Sequence, residues 1–242
     1  MKTGGLWAAL WLCAGLACAG GSAAAQDVPA LELAPIMLNL TQDKPDVLYI
    51  ANRSTAPVTV QIEAYAWSQI DGVDRLSPTD SLLVSPPLTN IAPGERQIVR
   101  VLADRNEGAG ETAYRLLVSQ IPSNNRPSGQ VKVLLQFSLP VFVGGAQAQP
   151  AALGWRARLG DGEVTLIAHN GGGKAVKLTG MHIAANGAAM APSGSTSIAY
   201  ILSGADHIWH LPVRGAMSAT LSVSAKDERS GVAVAADVPV EH

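Results

Sequence analysis

The chain has 242 residues, a formal net charge of −2, 48% hydrophobic and 15% charged residues. So mild a balance excludes a nucleic-acid footprint, and the charge is not gathered into a polybasic segment for anionic lipid. The five histidines and two cysteines leave little material for a metal centre or a thiol enzyme.

Met1–Lys2 followed by the apolar run Leu6–Gly20 and the small-residue site Ala23-Ala24-Ala25 reads as a secretory signal peptide over residues 1–25. The run is too short and too rich in Gly and Ala for a membrane span. Cys18 is poorly preceded by Gly15 and Leu16 for lipidation. Cleavage would remove both cysteines, Cys13 and Cys18, and would leave Gln26 first. The 17 basic residues less Lys2 then leave 16 against 19 acidic ones. Such a chain folds in an oxidising compartment by core packing alone, with no disulfide.

Strand candidates follow in order: 31–40, 47–51 ending at Asn52-Arg53-Ser54, 58–67, 81–84, 97–102 after Ala92-Pro93-Gly94, 114–121, and 130–143. The last, QVKVLLQFSLPVFV, sets Val131, Val133, Leu135 and Phe137 on one side and Lys132, Leu134, Gln136 and Ser138 on the other. A period of two with branched and aromatic residues marks a half-buried strand. A strand this apolar is either central in a sheet or kept open for a partner, because a free apolar edge recruits other chains. After the small, flexible stretch 144–154 the pattern restarts at 163–170, 175–184, 197–202, 207–211, 219–225 and 232–238. Helical periodicity is scarce. The pattern predicts an all-β chain of two sandwich domains, 26–145 and 146–242. No tandem repeat stands out, although both halves carry a strand-to-turn asparagine, Asn52 and Asn170.

No catalytic set emerges. Strand parity sends His207 and His210 to opposite faces, where a metal pair needs the same one. Gly171-Gly172-Gly173-Lys174 lacks the frame of a phosphate loop and reads as a hairpin turn. Ser193, Ser195 and Ser197 lack a nucleophile elbow. Asp71, Asp74 and Asp80 lack the spacing of a calcium loop and read as solvated. Tyr65, Trp67, Trp155 and Trp209 fit core packing. The expectation is no enzyme, no cofactor and no metal.

Several separated motifs together resemble the periplasmic pilus chaperones of the chaperone–usher pathway. They are Ile50-Ala51-Asn52, Trp67-Ser68-Gln69, Leu83-Val84-Ser85-Pro86-Pro87, Ile91 through Arg100, Glu111-Thr112-Ala113-Tyr114-Arg115-Leu116, Gln120-Ile121-Pro122 and Ser138-Leu139-Pro140-Val141-Phe142-Val143. The second half matches loosely, through Tyr200–Gly204 and Trp209–Pro212. The resemblance implies two immunoglobulin-like sandwiches at an angle and a long strand lent to an incomplete pilus subunit, with delivery to an outer-membrane usher. It makes Val131, Val133, Leu135 and Phe137 the client-binding donor strand. The partners it implies are a pilus subunit and the usher, in the periplasm, with no nucleic acid and no membrane insertion. The competing reading is a secreted structural or adhesive sandwich protein of a pilus system. Family members anchor the client carboxylate with an Arg and a Lys. Here the matching positions hold Ile36 or Met37, and Pro140, as in a divergent branch. Arg100, Arg115 and Lys132 are therefore the candidate anchors. Gly144 stands where relatives carry an Arg, which removes the expected interdomain partner of Glu111.

Overall fold

The computed structural model describes residues 31–41, 44–104, 110–122, 133–144, 147–193, 198–213 and 219–241. All regular elements among them are strands. In the first domain these are β1 (Leu31–Ala34), β2 (Leu38–Leu40), β3 (Asp46–Asn52), β4 (Val58–Ile70), β5 (Val73–Pro78), β6 (Leu82–Ser85), β7 (Leu88–Ile91), β8 (Arg96–Ala103), β9 (Glu111–Ile121) and β10 (Gln136–Gly144). The second holds β11 (Leu153–Gly160), β12 (Glu163–Asn170), β13 (Val176–Ala185), β14 (Ala188–Met190), β15 (Ile198–Ile201), β16 (Asp206–Pro212), β17 (Thr220–Asp227) and β18 (Ala233–Glu241).

The first sandwich packs a sheet of order β1-β3-β8-β6 against one of order β2-β10-β9-β4-β5, with β7 also on β4. Alternation drives this: Val58, Val60 and Ile62 of β4, Val99 and Val101 of β8, and Leu116 and Val118 of β9 all enter one core. The single strand expected over 31–40 is in fact two. The chain passes from one sheet to the other around Ala34–Pro35, a cis peptide, so β1 pairs with β3 and β2 runs parallel to β10.

The second sandwich buries Val164, Leu166, Leu178, Ile201, Trp209, Leu211, Leu221 and Val223. Its β11 pairs along its length with β12 but meets β18 only at Ala157–Val240 and Arg158–Glu241. The stretch 171–174, expected as a hairpin turn, instead crosses from one half to the other of the strand order β14-β13-β17-β18-β11-β12-β16, since β12 pairs with β11 and β16 while β13 pairs with β14, β15 and β17. Gly172 is required there, because a Cβ would collide with the Pro150 carbonyl oxygen and the Ala151 backbone.

The two asparagines are equivalent. Asn52 is fully buried, donates Nδ2 to the Ala56 and Ile91 carbonyls, and accepts on Oδ1 from Ser54 N–H. Asn170, equally buried, donates to the Lys174 and Ile201 carbonyls and accepts from Gly172 N–H. Gly94 and Gly204 N–H close the two networks on the Asn52 and Asn170 carbonyls. Each side chain satisfies the backbone of a turn no strand partner reaches. The domains are thus copies of one plan, which the bare sequence shows only as two asparagines.

Asp71-Gly72 is a tight hairpin rather than a solvated loop. Both residues have positive φ, 53° and 74°, the signature of a primed two-residue turn. It joins β4, which runs three residues beyond Trp67, to the unexpected β5.

Candidate functional site: the free edge of β10 and the interdomain cleft

The strand expected over 130–143 is regular from Gln136 to Gly144. Val131 and Lys132 lie outside the described residues. Along the odd-numbered face burial rises steadily. Val133 is 61% exposed, Leu135 and Phe137 are half-buried, and Leu139, Val141 and Val143 sit in the core of the first domain. The predicted donor face and the domain's own core face are one continuous apolar stripe. The domain covers only its C-terminal part, and Phe137 already packs on that core.

The backbone shows why the stripe stops being covered. On one side β10 pairs with β9 from Gln136–Ser119 to Gly144–Glu111. On the other, β2 covers only Val141 to Val143. The edge from Gln136 to Leu139 has no strand partner among the described residues. Across the opening, β1 ends the opposite sheet, with Leu31 and Leu33 half-buried against the same core. Ile36, at the crossing, is 70% exposed. Among the described residues, these two edges without a strand partner flank exposed apolar side chains and form a sandwich seam able to pair an extended strand by its backbone and to seat alternate side chains.

The other face of β10 looks into the cleft between domains. Phe142 meets Trp67, Ala113, Ala175, Leu202 and Ala205 in a small interdomain core, with Met37 and Tyr200 at its margin. The Trp67 and Tyr200 rings meet edge-on at 5.3 Å. Gln69 acts like a strand backbone: Nε2 donates to the Tyr200 carbonyl and Oε1 accepts from Leu202 N–H, both at 2.9 Å. Glu111 does have an interdomain partner, and sequence reasoning misses it. Arg229, in the turn after β17, donates to both Glu111 oxygens at 2.7 Å, to the Ala175 carbonyl and to Asn39 Oδ1. Its guanidinium lies 3.7 Å over the Phe142 ring. Nothing near Arg229 in sequence reveals this, because the pairing spans 118 residues. Beside it lies a groove of about 970 Å³ lined by residues including Met37, Leu40, Trp155, Lys174 and Val234.

The candidate anchors separate clearly. Arg100 is exposed on β8, in the sheet that does not contain β10. Arg115 stands on β9 directly opposite Pro140, on the cleft side. Its guanidinium stacks 3.8 Å over Trp67 and 5.2 Å from Tyr200, and Asp74 is 3.9 Å away. Burial pulls its pKa down, and Asp74 partly restores it; it remains a cation. Trp67 Nε1 beside it is a buried donor without a hydrogen-bond partner. His207 and His210 do fall on opposite faces: His210 pairs with Glu163 at the surface, while the His207 ring packs 4.4 Å from Trp209. Among the described residues no three His, Cys, Asp or Glu side chains gather as a metal site, and no helix is long and apolar enough to cross a membrane.

No curated protein matches the chain in sequence. The family model "Pili and flagellar-assembly chaperone, PapD N-terminal domain" matches residues 31–149. Among solved structures, the chain resembles one from the CsuC–CsuE chaperone–tip adhesion subunit pre-assembly complex of the archaic Csu pili of Acinetobacter baumannii. The TM-score is 0.67 and the identity 19%, over 88% of this chain and 100% of that one. It also resembles a chain of the Salmonella enterica SafA pilin–SafB chaperone complex, with TM-score 0.63, 15% identity, and 89% and 98% covered. The E. coli chaperone DraB gives 0.59, 16%, and 88% and 97%. At these identities the likeness is one of fold, and it extends across both sandwiches. The first domain, with β10 and its edge inside the matched segment, belongs to the pili and flagellar-assembly chaperone family as its N-terminal domain.

Proposed function

We propose that the protein is a periplasmic chaperone that captures an incomplete pilus subunit on the free edge of β10 and passes it to an outer-membrane usher. One observation carries the reading: an apolar strand whose far half serves the protein's own core, while its near half has a backbone edge with no strand partner among the described residues and leads back to the exposed Val133 and Leu134. A client strand laid on that edge gains ladder hydrogen bonds that demand no particular sequence, and Val131, Val133, Leu135 and Phe137 fill its pockets. Each Val, Leu or Phe newly buried contributes about 1.5–3 kcal/mol, so a few such residues offset the association cost of roughly 4–15 kcal/mol. No catalysis, metal or nucleotide enters this reading; the client's own folding supplies the drive. Of the two candidate anchors among the described residues, Arg115 suits the client's carboxylate better than Arg100, because it faces the cleft opposite Pro140 and adjoins the unpartnered Trp67 Nε1. The signal over residues 1–25 supports export to the periplasm.

The test is the pair of substitutions Val133→Asp and Leu135→Asp in one protein. Neither residue is enclosed in the free chaperone, so it should fold normally, yet subunit capture should be lost because two carboxylates would be buried unpaired in the complex. An unfolded variant, or one that still captures subunit, contradicts the reading.

A further inference from the structure

The free edge of β10 does not fade out; it has a defined end. Gln120 N–H donates to the Leu135 carbonyl at 2.9 Å, and Leu135 N–H turns the same way, toward Gln120 Oε1. In an antiparallel ladder such pairs alternate. With Gln136 opposite Ser119, the odd-numbered residues of β10 direct their N–H and C=O groups toward β9. The even-numbered ones, Gln136, Ser138, Pro140 and Phe142, direct theirs outward. Phe142 faces β2, which takes the edge from Val141 onward. Gln136 and Ser138 each offer the free edge a donor and an acceptor. Pro140 has no N–H to offer, and it sits at the last outward position before β2. The same placement explains why a proline is tolerated inside the strand, since no bond to β9 is lost.

We propose that Pro140 is a register stop: it ends the client ladder at Ser138 and thereby selects clients whose pairing strand finishes there. This rests on the chaperone reading above and specifies the client for that site. The ladder cannot slide toward the second domain, because the next rung lacks its donor and the one after is occupied by β2. A one-residue slip the other way would turn every client side chain to the wrong face. The backbone thus bounds the register on the side of the second domain, and a two-residue slip the other way gives up a rung, even where the Arg and Lys anchor positions hold apolar residues.

The experiment uses the complex of the full mature chaperone with the major subunit of the same pilus system, co-expressed and purified, and reads backbone amide exchange by NMR. In the parent complex the Gln136 and Ser138 amides should slow by about tenfold or more relative to free chaperone. If they do not, the edge is not the client site, and the functional reading fails with the inference. In Pro140→Ala the amide created at position 140 should also become protected, and only in the complex. If that amide exchanges equally fast free and bound, alongside protected Gln136 and Ser138, the stop is overturned and the functional reading stands. A second variant, Ser138→Pro, moves the stop back by one rung without removing a bond to β9. It should remain folded and capture subunit at least about tenfold more weakly; unchanged capture overturns the proposal.

Discussion

Arg229 of the second domain grips Glu111 of the first with two parallel hydrogen bonds of 2.7 Å, and both side chains are nearly buried, 11% and 6% exposed. The guanidinium also lies on Phe142, on the opposite face of β10 from the apolar stripe of Phe137, Leu139 and Val141. The pair therefore ties the second domain to β10, the strand proposed to pair with a client.

Breaking it should be costly. Glu111→Ala or Arg229→Ala leaves one buried charge without its partner, and each should destabilise the protein by about 3–5 kcal/mol. The double variant should cost clearly less than the two losses added. Urea unfolding of the four proteins in a double-mutant cycle checks this; strict additivity would show that the pair does not interact.

Much of the fold is written locally. Val58 to Trp67 alternates so regularly that its buried face is evident, and Asn52 and Asn170 each end a strand, as their position implies. What is not local stays hidden. β5 is invisible to pattern reading because all six of its residues are exposed, leaving no hydrophobic alternation. Its one signal is Asp71-Gly72 between two runs, a hairpin turn whose acidic neighbours suggest a solvated loop instead. The split of the first strand falls at Pro35, the one strand breaker in 31–40, but a proline marks only a break and not that the chain changes sheets there. At the site, the apolar stripe is legible because it has a period of two, but where the domain's own core ends along it is not. That limit is set by where β2 stops, a fact of pairing. Arg229 is hidden for the same reason: its partners Asn39, Glu111 and Ala175 converge only in the folded chain.

Arg115 gives a sharper test of the client's terminus. Arg115→Ala should weaken capture of a subunit with a free C-terminal carboxylate, and amidating that carboxylate should weaken capture by the parent to a similar degree. Amidation should add little to the variant. Circular dichroism controls for folding, since Arg115 also stacks on Trp67. If amidation leaves the parent unaffected, no carboxylate is anchored, and strand pairing carries the affinity alone.

His207 makes stability pH-dependent. Burial holds its pKa below the ordinary 6.5, with Asp74 partly opposing, and its Nδ1 has no hydrogen-bond partner. A folded-state pKa depressed below the unfolded one means that the unfolded chain takes up the proton first. The stability this group contributes is complete above about pH 6.5 and is lost as pH falls through its folded pKa. Denaturant melts between pH 7.5 and 5 should show His207→Asn losing less stability than the parent over that range. Equal losses would show that the ring is not shielded.

The signal peptide expected over residues 1–25 leads to a plain prediction as well. Protein recovered from the periplasm should have an intact mass lacking residues 1–25. It should also carry no free thiol, since both cysteines precede that point.

With both cysteines removed alongside that signal, strand capture on β10 can be tested by cross-linking. Single cysteines placed at Val133, at Ser138 and, as a control on the other sheet, at Arg100 are each combined with a cysteine scan along the subunit's exposed edge strand, and disulfide cross-links are mapped. Efficient cross-links are expected from positions 133 and 138, at subunit positions that advance in step along one strand, and none from position 100. Cross-links from position 100 that equal or exceed those from 133 and 138 would contradict capture on β10.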